Sequence, residues 1–85
     1  MVDKTEQDVA SAVLAVIQDI TGTVVSRIRR TDSLLDDLEI DGDDFSFVFV
    51  RNVEEKLGIK TNPVAWRHVR TVQQAIDVFL SATSG

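Results

Sequence analysis

The chain has 85 residues, a formal net charge of −5, one histidine and no cysteine. Without cysteine there is neither a disulfide framework nor a thiolate metal site, and the negative balance argues against nucleic acid as the main partner. No apolar run approaches the roughly 20 residues of a membrane span, and the polar start MVDKTEQDV lacks the apolar centre of a signal peptide, so a soluble cytoplasmic protein is expected. One domain over residues 1–85 is expected; at this length it buries roughly 60–65 % of its unfolded surface, which leaves little room for a deep catalytic cavity.

The first helix is predicted over residues 4–21. Val9, Val13, Val16, Ile17 and Ile20 recur at helical spacing, and Leu14 widens the stripe. Asp3 or Thr5 can open it, and Gly22 ends it because glycine accepts the left-handed conformation at a helix terminus. Residues 23–40 form a long connection. Thr23-Val24-Val25 is β-branched but has no evident partner strand and is read as loop. Thr31-Asp32-Ser33 can start a short turn through Leu34 and Leu35. A connection this long in a small domain is either functional or anchored by its own apolar residues, here Ile28, Leu34, Leu35, Leu38 and Ile40.

The second helix is predicted over residues 42–57, ending at Gly58. Phe45, Val48, Phe49, Val53 and Leu57 supply its main stripe. Its start, Asp41-Gly42-Asp43-Asp44, offers Asp41 as a cap and puts two carboxylates in the first turn, where the helix dipole favours negative charge. Phe47 and Val50 lie off that stripe, so this helix is apolar on more than one side. Either both sides are buried, which is the leading reading, or one side meets a partner. Asn62 and Pro63 open a short third helix over 63–67 that carries Trp66. Thr71-Val72-Gln73-Gln74 fits a capping box and opens a last helix over 72–81, with Val72, Ala75, Ile76, Phe79 and Leu80 on one face and a frayed tail beyond. Three longer helices, one short helix and a long first connection make an all-α four-helix bundle.

The charge is uneven. Seven of the 14 acidic residues fall between positions 32 and 44, as Asp32, Asp36, Asp37, Glu39, Asp41, Asp43 and Asp44. Each alone reads as solvated surface, but together they can steer a basic partner. Asp37-x-Glu39-x-Asp41-Gly42 resembles the opening of an EF-hand loop. The positions that must then hold an apolar residue and a bidentate glutamate are Asp44 and Val48, which rules that loop out. A lone His68 without cysteine or a second histidine makes no zinc site, and no serine sits in a nucleophile elbow or triad setting. His68 reads as a surface residue among Arg67 and Arg70. Trp66 beside Arg67 has the make-up of an interface anchor but in so small a domain reads first as core. No metal and no catalytic residue are expected, and the chain is not expected to be an enzyme.

The order of long helix, long loop, acidic helix start, apolar second helix, short third helix and last helix resembles the acyl carrier proteins over nearly the whole chain. The resemblance rests on Asp37-Leu38-Glu39-Ile40-Asp41, on Val53-Glu54-Glu55-Lys56-Leu57 and on Thr71-Val72-Gln73-Gln74-Ala75-Ile76-Asp77. It implies an acyl-carrier-like bundle and a 4'-phosphopantetheine arm on a serine at the start of the second helix, in an Asp-Ser-Leu motif. Asp41-Gly42-Asp43-Asp44 stands there instead. The second helix is one residue longer than the family pattern, so the serine position falls on Gly42 or Asp43, neither of which has a hydroxyl. Ser46 lies about a turn further into the helix and faces another way.

The expected function is therefore a binding module that docks on acyl-transfer or synthase-type enzymes of fatty acid or polyketide metabolism, without a covalent arm or other cofactor. Asp41, Asp43 and Asp44 are the candidate docking charges and Phe47 and Val50 the candidate apolar contacts. Basic protein surfaces are the expected partners, and the chain is expected to be a monomer. Two alternatives stand beside this: a true acyl or lipid carrier using another attachment site or holding lipid noncovalently, and an acidic inhibitor or immunity-type protein.

Overall fold

The computed structural model describes residues 5–40 and 45–84, with the side chains of all but Phe45, Ser46, Phe47 and Ser84. The fold is all-α as expected. Among the described residues there are three α-helices, α1 (Glu6–Thr21), α2 (Arg51–Leu57) and α3 (Val72–Ser84), with a π-helical segment, Phe45–Val50, leading directly into α2. Short 3-10 turns occupy Val25–Arg27 and Pro63–Trp66. α1 packs against both α2 and α3, and the buried apolar side chains of all three helices and of the long connection form one cluster.

α1 begins at Glu6, capped by Thr5 rather than Asp3. The Thr5 hydroxyl accepts from the Asp8 amide and the Asp8 carboxylate accepts from the Thr5 amide, both at 3.2 Å, the reciprocal arrangement of a capping box. Gly22 closes the helix at φ 76°, its N–H donating to the Gln18 carbonyl at 2.8 Å. Val9, Ala10, Val13, Val16 and Ile17 are buried, as the period demands. The segment read as loop after Gly22 contains a 3-10 turn at Val25–Arg27, whose start is held by the Val25 amide donating to Gln18 Oε1 at 3.1 Å.

The long connection is part of the core rather than a surface strap. Ile28, Leu34, Leu38 and Ile40 are buried, and of the apolar set named for it only Leu35 is out, at 61 % exposure. Ser33 organises its middle. The Ser33 hydroxyl accepts from the Asp36 amide at 3.1 Å and the Asp37 carboxylate accepts from the Ser33 amide at 2.7 Å. The turn stops there because Glu39 takes up φ 56°, a conformation that cannot continue a right-handed helix. An isolated antiparallel bridge, Ser33 with Thr71, then stitches the connection to the start of α3.

That stitching supplies partners for two of the amides that a helix start leaves open, and the cap and the first intrahelical bond take the next two. Val72 N–H donates to the Asp32 carbonyl at 3.1 Å, Gln73 N–H to the Arg30 carbonyl at 2.8 Å and Ala75 N–H to the Thr71 carbonyl at 3.1 Å. The Gln74 amide donates to the Thr71 hydroxyl at 3.2 Å, and Gln74 Oε1 accepts back from the Thr71 amide at 3.1 Å, which is the expected capping box. Arg30 ties the same corner to α1, donating to Gln73 Oε1 at 3.1 Å and to Glu6 Oε1 at 3.0 Å. α3 runs on to Ser84, so the tail expected to fray from residue 81 is helical as far as it is described.

The second helix departs most from expectation. It is not one regular α-helix, and Val48 departs from the predicted stripe while Val50 is buried. Val48, placed on the main stripe, is 37 % exposed; Val50, placed off it, is buried at 8 %. The physical reason lies in where the count starts. Val50 caps regular α2 with helical φ −61° and ψ −47° and lies two turns before Leu57 on roughly the same line, whereas Val48 lies inside the π-helical segment, where the regular count does not hold. The phase is fixed by the regular part, α2, where Val53 and Leu57 are buried beside Phe49.

The third helical piece is a single 3-10 turn with Asn62 as cap, its side-chain oxygen accepting from the Val64 amide at 3.0 Å. Trp66 is half-buried and lies against Phe79 and Phe49, with centroid distances of 4.9 and 6.3 Å. Its indole N–H donates to Thr61 Oγ1 at 2.8 Å, and that hydroxyl donates to Glu54 Oε2 at 2.7 Å. The Thr61 amide donates to the same carboxylate oxygen at 2.7 Å. Thr61→Val keeps the shape and removes the hydroxyl, leaving a half-buried indole N–H without its acceptor. A loss of about 1–3 kcal/mol is expected in urea unfolding, with a red shift of Trp66 fluorescence; an unchanged midpoint would show that the relay contributes nothing.

Candidate functional site: the acidic entry to the second helix

The expected docking residues divide three ways. Asp41, Gly42, Asp43 and Asp44 lie outside the described residues. Phe47 is in the π-helical segment, and its side chain also lies outside them. Val50 is corrected: its side chain is packed in the core and is not an outward contact. Among the described side chains, the exposed apolar ones here are Val48 and, on the connection that leads into it, Val24, Val25 and Leu35.

The connection brings more carboxylates to the surface just before this segment. Asp36, Asp37 and Glu39 are exposed and Asp32 is half-buried. Two of them serve the local backbone, Asp37 at Ser33 and Asp32 accepting from the Arg29 amide at 2.9 Å. Asp36 and Glu39 have no such duty. The ion pairs among the described residues are Arg30–Glu6 at 3.0 Å and Arg51–Glu55 at 3.6 Å, and neither neutralises a carboxylate of the connection. Uncompensated charge of one sign ahead of a helix makes a negative field that extends about a Debye length, roughly 8–10 Å, into solution.

Other chemistry is sparse. No group of His, Asp or Glu among the described residues is arranged to hold a metal ion. His68 is exposed beside Arg67 and Arg70, which are exposed too. Ser33 spends its hydroxyl on the turn. An open groove of about 430 Å³ runs between the 3-10 turn and α3, with Lys60, Thr61, Asn62 and Asp77 among its lining residues. It is well separated in sequence from the acidic entry. No described helix is long and apolar enough to cross a membrane.

No protein-family model matches the chain. Individual curated proteins do. It is 30 % identical over 78 residues to the acyl carrier protein of Tropheryma whipplei (strain Twist), covering 92 % of this chain and 94 % of that protein. It is 26 % identical over 78 residues to the acyl carrier protein of Myxococcus xanthus, covering 92 % and 98 %. The acyl carrier protein of Micrococcus luteus is 26 % identical over 73 residues, covering 86 % and 89 %. The chain belongs to the acyl carrier protein family.

The resemblance read from the three segments of sequence is thereby borne out, and with it the small helical bundle. Relatives that are carriers agree with the expectation that the chain is not an enzyme. The family's arm needs an alcohol oxygen to esterify. Neither of the two positions that can correspond to the carrier serine, Gly42 and Asp43, has one, and the Ser33 hydroxyl is built into the fold.

Proposed function

We propose that the chain is a single carrier-like domain, residues 1–85, that docks on acyl-transfer or synthase-type enzymes of fatty acid or polyketide metabolism and does so without a phosphopantetheine arm. The observation that carries this is the pairing of a carrier-family bundle with Asp41-Gly42-Asp43-Asp44 where the arm's serine belongs. Asp43 supplies fixed negative charge near the place a phosphodiester occupies in a loaded carrier, and a helix start favours such charge. Asp41 and Asp44 flank it. The exposed Asp36 and Glu39 extend the same field along the connection. Phe47 remains a candidate apolar contact, and Val48 takes the place first given to Val50. The partner surface is basic protein, not nucleic acid, and the domain acts as a cytoplasmic monomer.

The reading makes a binding prediction. A purified acyltransferase that accepts carrier proteins, titrated by calorimetry, should bind the wild-type chain with an affinity that weakens as salt rises. The double variant Asp43→Lys/Asp44→Lys should bind at least about tenfold more weakly, since reversed charge meets a like-charged surface. Equal binding by wild type and variant would reject a docking role for these carboxylates.

A further inference from the structure

The turn that follows α1 carries side chains that the fold does not use. Val24 and Val25 are 50 % and 38 % exposed, and Arg27 and Arg29 are exposed beside them. The turn is nonetheless held in one shape. The Thr23 amide donates to Thr21 Oγ1 and the Val25 amide to Gln18 Oε1, both at 3.1 Å. The Arg27 amide donates to the Val24 carbonyl at 2.9 Å and the Ile28 amide to the Val25 carbonyl at 3.1 Å. Ile28 is buried and its backbone is extended, at φ −86° and ψ 123°. Successive side chains of an extended chain point to opposite faces, so burial of Ile28 turns Arg27 and Arg29 outward together, about 7 Å apart along the chain. The next arginine shows the contrast. Arg30 is committed to the fold through Glu6 and Gln73, whereas neither Arg27 nor Arg29 is in an ion pair among the described residues. The carboxylate at this corner, Asp32, is half-buried and accepts from the Arg29 amide.

We propose that Val24, Val25, Arg27 and Arg29 form a second docking surface, whose occupant is a short protein segment with two carboxylates beside an apolar residue. Two guanidinium groups held outward side by side match paired carboxylates, each by a forked pair of hydrogen bonds. The valines next to them match an apolar side chain and nothing in a phosphate backbone. A turn already fixed by its own hydrogen bonds loses little freedom when it is covered. The net charge of −5 opposes a bilayer or a nucleic acid, which present many negative charges at once. A short segment presents two. The surface uses none of the acidic residues of the connection, so it stands or falls apart from their docking role.

Amide NMR spectra of the full chain, titrated with the end-capped peptide Leu-Ser-Glu-Ser-Glu, test it. Shift changes should centre on residues 23–30. The counterpart Leu-Ser-Lys-Ser-Lys should leave those amides where they are. The double variant Arg27→Glu/Arg29→Glu changes two exposed side chains, so its spectrum should keep the dispersion of the folded chain while its affinity for the acidic peptide falls at least about tenfold. No shifts, shifts centred elsewhere, or equal binding by the variant overturns the proposal. Two controls name the other occupants. Movement of the same amides on concentrating the chain alone would assign the surface to a second copy. Sedimentation of wild type but not variant with vesicles of phosphatidylserine and phosphatidylcholine would assign it to lipid. Either result also overturns the proposal.

Discussion

Phe79→Ala should lower the unfolding free energy by about 3–5 kcal/mol, the usual cost of removing a large aromatic side chain from a core. Phe79 is fully buried on α3. Its ring meets Trp66 at 4.9 Å and Phe49 at 6.4 Å, so one side chain joins α3, the 3-10 turn and the second helix. Truncation leaves a cavity where these three elements meet and removes the ring that lies 4.9 Å from Trp66. A domain of this size has only about 5–10 kcal/mol of net stability, so the variant should be partly unfolded near physiological temperature. Urea titration read through the single tryptophan measures this. A loss below about 1 kcal/mol would be too small for a buried aromatic and would contradict this core.

The second large effect is expected in the long connection. Leu34→Ala should cost about 2–5 kcal/mol, whereas Leu35→Ala next to it should cost less than about 0.5 kcal/mol. Leu34 is 1 % exposed, and its amide donates to the Arg70 carbonyl. Leu35 projects to solvent. The contrast between neighbours tests whether the connection is built into the bundle, with α3 depending on it for the carbonyls that receive its first amides. Similar small effects at both positions, by chemical denaturation, would mean that the connection is a surface loop.

Much of this arrangement was legible in the sequence because short-range chemistry decides it. The Thr5–Asp8 cap, the glycine stops at 22 and 58, the Asn62–Pro63 turn and the Thr71–Gln74 box all act within four residues. Each can be read from residue types alone. The anchoring of the long connection was half legible. Its apolar residues signalled burial, but the bridge from Ser33 to Thr71 joins residues 38 apart by backbone groups, which residue type does not encode. The second helix misled for a more specific reason. Its stripe, phased from Phe45 at the irregular end, puts Val48 in the core, whereas Val48 is exposed and Val50 is buried, the latter in keeping with the reading that both sides of this helix are covered. Phasing from Leu57 and Val53 puts Val50 on the buried line. A π turn leaves no propensity signature. For Trp66, the core reading was the better one, with its N–H satisfied by Thr61.

The carboxylates Asp41, Asp43 and Asp44 carry the proposed docking role. The loop acids Asp36 and Glu39, exposed and outside any ion pair among the described residues, give that argument a second support. The most direct measurement is the intact mass of the wild-type chain after incubation with coenzyme A and a broad-specificity phosphopantetheinyl transferase, beside an ordinary acyl carrier protein modified in the same tube. The mass of this chain is predicted to stay unchanged while the control gains its arm. A gain of one phosphopantetheine by the wild-type chain would contradict the account, and peptide mapping would then name the residue that carries it.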